Sequence, residues 1–272
     1  MKSQFLLIIW LCCISLGQAD QFSNDKLVAW CIVPFDSQKR NTTERVKMLK
    51  ELGIKRVAYD WREEHVAEFE EEIIQYKKNG IEFFAFWSTH DLAFQLFNKH
   101  KIRPQIWQTA FSPTNSTQKN KINAAIENVL PLVNRTRKLG LKLGLYNHGG
   151  WGGEPENLTS VCQALRKIHK ADHVGIVYNF HHGHAHIDDF KKSLKIMLPY
   201  LLCINLNGMN IDAKPKILPI GQGQHENEMI YIIKESGYKG PIGILDHRSD
   251  MDTKIALKLN ISGLNKILRK DN

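Results

Sequence analysis

Residues 174–186 read VGIVYNFHHGHAH. The first half is a β-branched and aromatic run without polar alternation, the pattern of a strand buried on both faces. The second half turns into Asn179 and the imidazoles of His181, His182, His184 and His186. Five of the twelve histidines therefore fall between His173 and His186. Imidazoles at the end of an apolar strand pack poorly. They make sense where the carboxyl end of a buried parallel strand opens into a polar pocket, as in α/β folds.

Seven more apolar runs surround this one, at 27–35, 56–61, 81–87, 103–110, 142–148, 201–209 and 240–247. Helical periodicity follows each, over 43–52, 64–78, 90–99, 117–139, 158–169, 188–200, 226–236 and 251–268. Gly53, Asn79-Gly80, Gly140 and Gly237 close several of these helices with residues that suit a left-handed cap. Eight strand–helix units in about 250 residues predict an α/β fold, a single closed (β/α)8 TIM barrel. No Gly-x-Gly-x-x-Gly turn follows the first strand, so no nucleotide cofactor is expected. No linker or shift in composition marks a second domain.

Composition agrees with a globular chain: 272 residues, 43% hydrophobic and 24% charged. The net charge of +9 raises nucleic acid as a partner. The lysines, however, are scattered along the helices (Lys47, Lys50, Lys77, Lys78, Lys191, Lys192, Lys195) without interleaved aromatics. They predict a solvated outer ring and no nucleic-acid partner. Residues 1–19 have the layout of a cleaved signal peptide: Lys2, an apolar core from Phe5 to Leu16, and Gly17-Gln18-Ala19 before Asp20. The core is too short to span a bilayer, and no later segment is apolar enough. A secreted or periplasmic barrel over 20–272 is expected. Cys31, Cys162 and Cys203 then remain as buried free thiols. Sequons occur at Asn41, Asn115, Asn134, Asn157 and Asn260.

In a barrel the site lies at the strand ends. Those positions carry Asp60 and Arg62, Trp87, Trp107, Asn147 and His148, Asn179, His182 and His184, Asn205 and Asn207, Asp246 and His247. Trp87 and Trp107, with Trp61 and Trp151, offer flat faces for a sugar ring, and the amides suit its hydroxyls. Asp60, Arg62 and His247 complete the expected substrate contacts. The predicted partner is a small carbohydrate.

The stretches VPFDSQKR (33–40), LGIKRVAYDWR (52–62), YNHGGWGGEPEN (146–157), VYNFHHGHAHID (177–188), NLNGM (205–209), ILPIGQGQHE (217–226) and SGYKGPIGILDH (236–247) resemble the sugar phosphate isomerase/epimerase group of xylose-isomerase-like TIM barrels. That group also includes the apurinic endonucleases. The likeness runs from about Leu27 to Leu268 and implies a divalent metal held at the strand ends by Glu, Asp, His and Glu. By that pattern Tyr146 or Asn147 stands for the first Glu, Asn179 for the Asp, Asn205 for a His and Asp246 for the last Glu. His182 alone is retained, and Asn179 and His182 are the pair facing the pocket. His181 and His186 fall to packing or surface roles.

Amide oxygens are weak ligands, so a metal here would be an imidazole-preferring ion. His148, His182 and His184 form the candidate set for Zn or Mn. On a regular strand His182 and His184 share a face. Without metal the same imidazoles serve as acid and base for proton transfer beside a carbonyl. Asp246 and Glu226 are the carboxylate alternatives, and Asn147, Asn179, Asn205 and Asn207 the donors to the enolate oxygen. The GQG loop has no Lys or Arg in its core, which favours an unphosphorylated sugar or keto-sugar. The expected activity is isomerase- or epimerase-like. A lyase or hydrolase of oxidised glycosides and a non-catalytic sugar-binding barrel are the alternatives.

Overall fold

Apolar runs become strands and amphipathic runs become helices in strict alternation. The computed structural model describes residues 21–114 and 117–269; the expected leader and the Asn115 sequon lie outside the described residues. The order is β1 (Val28–Trp30), α1 (Thr42–Glu51), β2 (Arg56–Asp60), α2 (Phe69–Lys78), β3 (Glu82–Trp87), α3 (Asp91–His100), β4 (Gln105–Thr109) and α4 (Gln118–Leu139). Then come β5 (Leu143–Tyr146), α5 (Gly150–Gly153), α6 (Pro155–His169), β6 (Val174–Asn179), α7 (Phe190–Met197), β7 (Leu201–Leu206), α8 (Glu226–Glu235), β8 (Ile242–Leu245) and α9 (Thr253–Arg269). The strands are parallel and close in sequence order, β1 pairing with both β2 and β8. This is the single (β/α)8 barrel expected.

The pleat sorts the side chains into two layers. Tyr59, Phe86, Ile106, Leu145, Ile176 and Ile204 point outward into the core shared with the helices. Trp30, Ala58, Trp107, Tyr146, Val177, Cys203 and Leu245 fill the barrel interior. Large interior residues need small neighbours. A Cβ at Gly243 would lie 1.8 Å from Asn205 Oδ1, and one at Gly144 only 2.5 Å from the Val177 side chain. The three described cysteines are buried and free.

Differences from the sequence reading concentrate at the strand ends. β1 stops at Trp30, and Cys31 takes a positive φ of 61°. The first third of the second predicted helix is a 3-10 turn, Glu63–Glu68. Residues Gly150–Gly153 form the short helix α5, where no helix was expected. β6 ends at Asn179, and residues 180–182 and 184–186 form two 3-10 turns where a continuing strand was expected. The Asn260 sequon is sealed: that residue is buried, its amide donating to Leu245 O and accepting from Ile220 N.

Candidate active site at the strand ends

The carboxyl ends of β1, β2, β3, β5, β6 and β8 surround a cavity of ≈ 80 Å³. That is room for about two or three waters, or for the reacting end of a small molecule. Trp30, Trp87 and Tyr146 give it aromatic walls, Cys31, Asp60, Arg62 and Asn179 polar ones. Four imidazoles, His148, His181, His182 and His247, complete it. They form an arc: ring centroids are 4.3 Å apart for His148–His182, 4.1 Å for His182–His181 and 4.9 Å for His181–His247. His247 also lies 3.9 Å from the Phe35 ring.

Burial is the main reason these rings stay uncharged. It pushes His181 down to about 2 and His182 down to about 3, helped by the neighbouring imidazoles and Lys216. His148 and His247 are lowered by the same desolvation. His148 is exposed at the mouth, whereas His182 is half-buried beneath it. The arc is therefore a set of neutral bases, with His148 its most exposed member and His181 its buried one.

Beside it, Asp60 is buried and accepts from Arg62 Nη1 at 2.7 Å. Burial raises the Asp60 carboxyl more than Arg62 and the Cys31 thiol lower it. Arg62 also donates to Trp61 O and lies over the Phe35 ring, 5.4 Å from its centroid. Asn179 is fixed by two partners: its Oδ1 accepts from His181 N at 3.1 Å, which turns its Nδ2 onto the Tyr146 hydroxyl. Trp30 Nε1 donates to the same hydroxyl at 3.2 Å.

Several expected site residues lie elsewhere. His184 faces away: its ring nitrogens meet Asn210 O at 2.7 Å and Lys216 O at 3.2 Å. A 3-10 turn rotates about 120° per residue, so positions two apart no longer share a face. Both oxygens of Glu226 are taken by backbone, accepting from Met209, Gly221 and Gly223 N–H at 2.7–3.0 Å. It builds the GQG loop, is fully buried there and lines no part of the cavity. Asp246 follows the inward Leu245 and so points out to α9, accepting from Thr253 Oγ1 at 2.8 Å; burial raises it to about 7.

Asn147 exchanges two hydrogen bonds with the Asn179 backbone, at 3.0 and 2.7 Å. Asn205 accepts weakly from the Cys203 thiol at 3.5 Å and covers Gly243. Asn207 donates to Gly208 O. None of these three amides lines the cavity. Trp107 is fully buried, its Nε1 donating to Gln105 Oε1 at 2.9 Å, so it packs the interior and offers no face to a ligand. The cavity also takes His181, which the sequence reading gave a packing or surface role, Tyr146, offered there only in place of the family's first Glu, and Trp30 and Cys31, given no site role. The pairing of Tyr146 with the inward Val177 marks Tyr146 as inward; nothing local marks His181, whose direction is set by the turn.

A larger hollow of ≈ 340 Å³ lies between β4, β5, α4 and α6, with Trp151 and Phe111 on its wall. No His, Cys, Asp or Glu lines it. The imidazoles and the Asp60 carboxyl are gathered at the smaller cavity.

The sequence profile of the xylose isomerase-like TIM barrel matches residues 58–259. The chain belongs to that family. No curated protein is similar enough in sequence to match the chain. Solved family folds superpose over nearly their whole length. A 3-keto-D-glucoside 4-epimerase from E. coli is 14% identical, covering 90% of this chain and 99% of its own, with a TM-score of 0.64. An IolI protein with a bound zinc atom is 14% identical over 90% and 98%, with a TM-score of 0.65. A probable 3-DHS dehydratase from Bacillus anthracis is 14% identical over 88% and 98%, with a TM-score of 0.65. At such identity the likeness speaks for the fold.

The family's metal set does not fit this chain. Its four positions carry a phenol or amide (Tyr146, Asn147), an amide (Asn179), an amide (Asn205) and a carboxyl turned to Thr253 (Asp246). Tyr146 and Asn179 bind each other, as do the Asn147 side chain and the Asn179 backbone. The alternative three-nitrogen set loses His184 to the loop carbonyls. Among the described residues, no three or more His, Cys, Asp or Glu side chains are arranged to hold an ion. Also among the described residues, no helix is long and apolar enough to cross a membrane.

Proposed function

We propose that the chain is an exported, sugar isomerase- or epimerase-like enzyme that moves a proton at the carbon beside the carbonyl of an unphosphorylated sugar or keto-sugar. The observation that carries this reading is one small cavity that joins uncharged, paired imidazoles to hydrogen-bond donors and aromatic faces. Neutral imidazole can accept a proton, and two rings in contact share it as a pair. His148 is the more exposed and the less strongly lowered of the two, so a proton taken by the pair rests on His148 and leaves at the mouth.

Trp87, 5.9 Å from the His148 ring, offers a face for the sugar. Asp60 and Arg62 supply an acceptor and donors for hydroxyls. Asp60 offsets the Arg62 charge beside the cavity, which favours a neutral sugar over a phosphate. The E. coli relative acts on a 3-keto-D-glucoside, which supports a keto-sugar as substrate class. Export rests on the leader-like residues 1–19.

A second reading, a lyase of oxidised glycosides, begins with the same proton abstraction and ends with loss of a leaving group. The fold shared with a probable dehydratase favours keeping it. Nuclear magnetic resonance of a panel of ketoses, aldoses and keto-glycosides in D2O separates the two. Deuterium beside the carbonyl with the skeleton intact supports the isomerase, and release of the aglycone supports the lyase. His182→Gln should slow either by roughly 10²–10⁴-fold. A panel that takes up no deuterium and stays intact overturns both.

A further inference from the structure

Tyr146 is almost completely buried, yet its hydroxyl lies in the cavity wall beside the imidazole arc. Its ring lies 4.6 Å from Trp87, 5.9 Å from His182 and 6.4 Å from His148. A phenylalanine would fill the same space between these rings, so the oxygen has a separate task. That oxygen accepts twice, from Trp30 Nε1 at 3.2 Å and from Asn179 Nδ2. The direction of the second bond is set independently, because Asn179 Oδ1 is held by the His181 N–H. With both lone pairs engaged, the phenol has only its proton to offer. No protein acceptor meets that proton among the described residues.

Two donors pulling on one oxygen polarise its O–H, since hydrogen bonds in a chain strengthen one another in a low-dielectric site. The donors are braced as well. Trp30 packs 5.0 Å from Trp107, and Asn179 is tied to Asn147 through its own backbone. A fixed, polarised donor aimed into a small cavity is what a developing oxyanion requires.

We propose that the Tyr146 hydroxyl is the oxyanion donor of this site, binding the carbonyl oxygen of a keto-sugar while the His148–His182 pair removes the neighbouring proton. The proposal rests on the proton-transfer reading above. The C–H bond breaks and its proton goes to the imidazole pair. The electron pair forms the C=C bond, and the carbonyl π pair moves onto oxygen, which stays hydrogen-bonded to the phenol. Delivery of a proton to the opposite face of that carbon ends the cycle with the epimer, so nothing is oxidised or reduced overall. The neutral phenol thereby does by hydrogen bonding what the family's ion does by charge. It selects a substrate that already carries a ketone.

The test uses methyl 3-ketoglucoside with 13C at the carbonyl, bound to wild type, to Tyr146→Phe, and to a protein carrying 3-fluorotyrosine at 146. Thermal melts and circular dichroism verify that each variant folds. A strong hydrogen bond moves the bound carbonyl 13C resonance downfield in wild type. It should move further with the more acidic fluorotyrosine and return to its aqueous value in Tyr146→Phe. Where exchange is catalysed, Tyr146→Phe should lower its kcat by roughly 10²–10³-fold with little change in KM. A downfield shift without any deuterium exchange keeps Tyr146 as the carbonyl donor and overturns the isomerase reading. Exchange at an unchanged rate in Tyr146→Phe overturns the Tyr146 assignment alone. A resonance equal in wild type and Tyr146→Phe, or no binding of the ketone, also overturns it.

Discussion

Glu226 and His184 show how a side chain that reads as chemistry can be architecture. The Glu226 carboxylate receives three backbone N–H groups from the segment after β7, and it is fully buried. Glu226→Gln turns an amide N–H toward one or more of those donors. It should lower unfolding free energy by about 3 kcal/mol, read from urea denaturation. His184 ties the Asn210 and Lys216 carbonyls of the same segment. His184→Ala should speed protease cleavage between residues 207 and 219 and cost about 1–2 kcal/mol. An unchanged cleavage rate would return His184 to the list of candidate bases. Neither role was legible beforehand, because both depend on partners brought in by the path of the loop. Asn179 and His182 were legible, because alternation along β6 delivers the first to the cavity and the turn carries the second there.

At the scale of elements, the barrel interior limits what each strand can carry. Asn205 on β7 occupies the space that Gly243 leaves on β8. Gly243→Ala should therefore destabilise the protein by about 1–3 kcal/mol through overpacking. Asn205→Ala in the same chain should recover part of that loss, a favourable coupling in a double-mutant cycle. Additive losses would mean that the two residues do not share that space. The eight strand–helix units themselves were readable, since buried parallel strands are continuous apolar runs and the helices keep a 3.6-residue period. Strand termini were not. Cys31 adopts a positive φ where the apolar run continued. Beyond Asn179 the chain winds into 3-10 turns although its composition does not change. That difference of a few residues moved His181 into the site and His184 out of it.

Across the molecule, the buried imidazoles shape the response to acid. The unfolded chain protonates His181 and His182 near 6.5, whereas the folded chain resists down to about 2 and about 3. Their contribution to stability is present above pH 6.5 and is lost as pH falls toward those values. Asp246 works in the opposite sense: raised from 3.8 to about 7, its contribution is present below about pH 4 and lost as pH rises through 7. Two strongly lowered imidazoles outweigh one raised carboxyl. Unfolding free energy should thus climb from pH 4.5 to about 7 and level off by pH 8. Urea denaturation across that range checks the slope, which His182→Asn should flatten. Asp246→Asn should steepen the climb. A flat profile in wild type would contradict the burial of these groups.

The family and its barrel were legible from motif and period together, and the strand ends as the place to look for a site followed from the barrel. What replaces the family's charged centre was not, because the bond from Asn179 to Tyr146 joins two strands. A crystal of the wild-type protein soaked with methyl 3-ketoglucoside tests that centre most directly. The account predicts the sugar at the ends of β3, β5 and β6, its carbonyl oxygen about 2.6–3.0 Å from the Tyr146 hydroxyl and the adjacent C–H facing His182. Sugar seated instead in the hollow between α4 and α6, or in the small cavity with its carbonyl turned away from Tyr146, would contradict it.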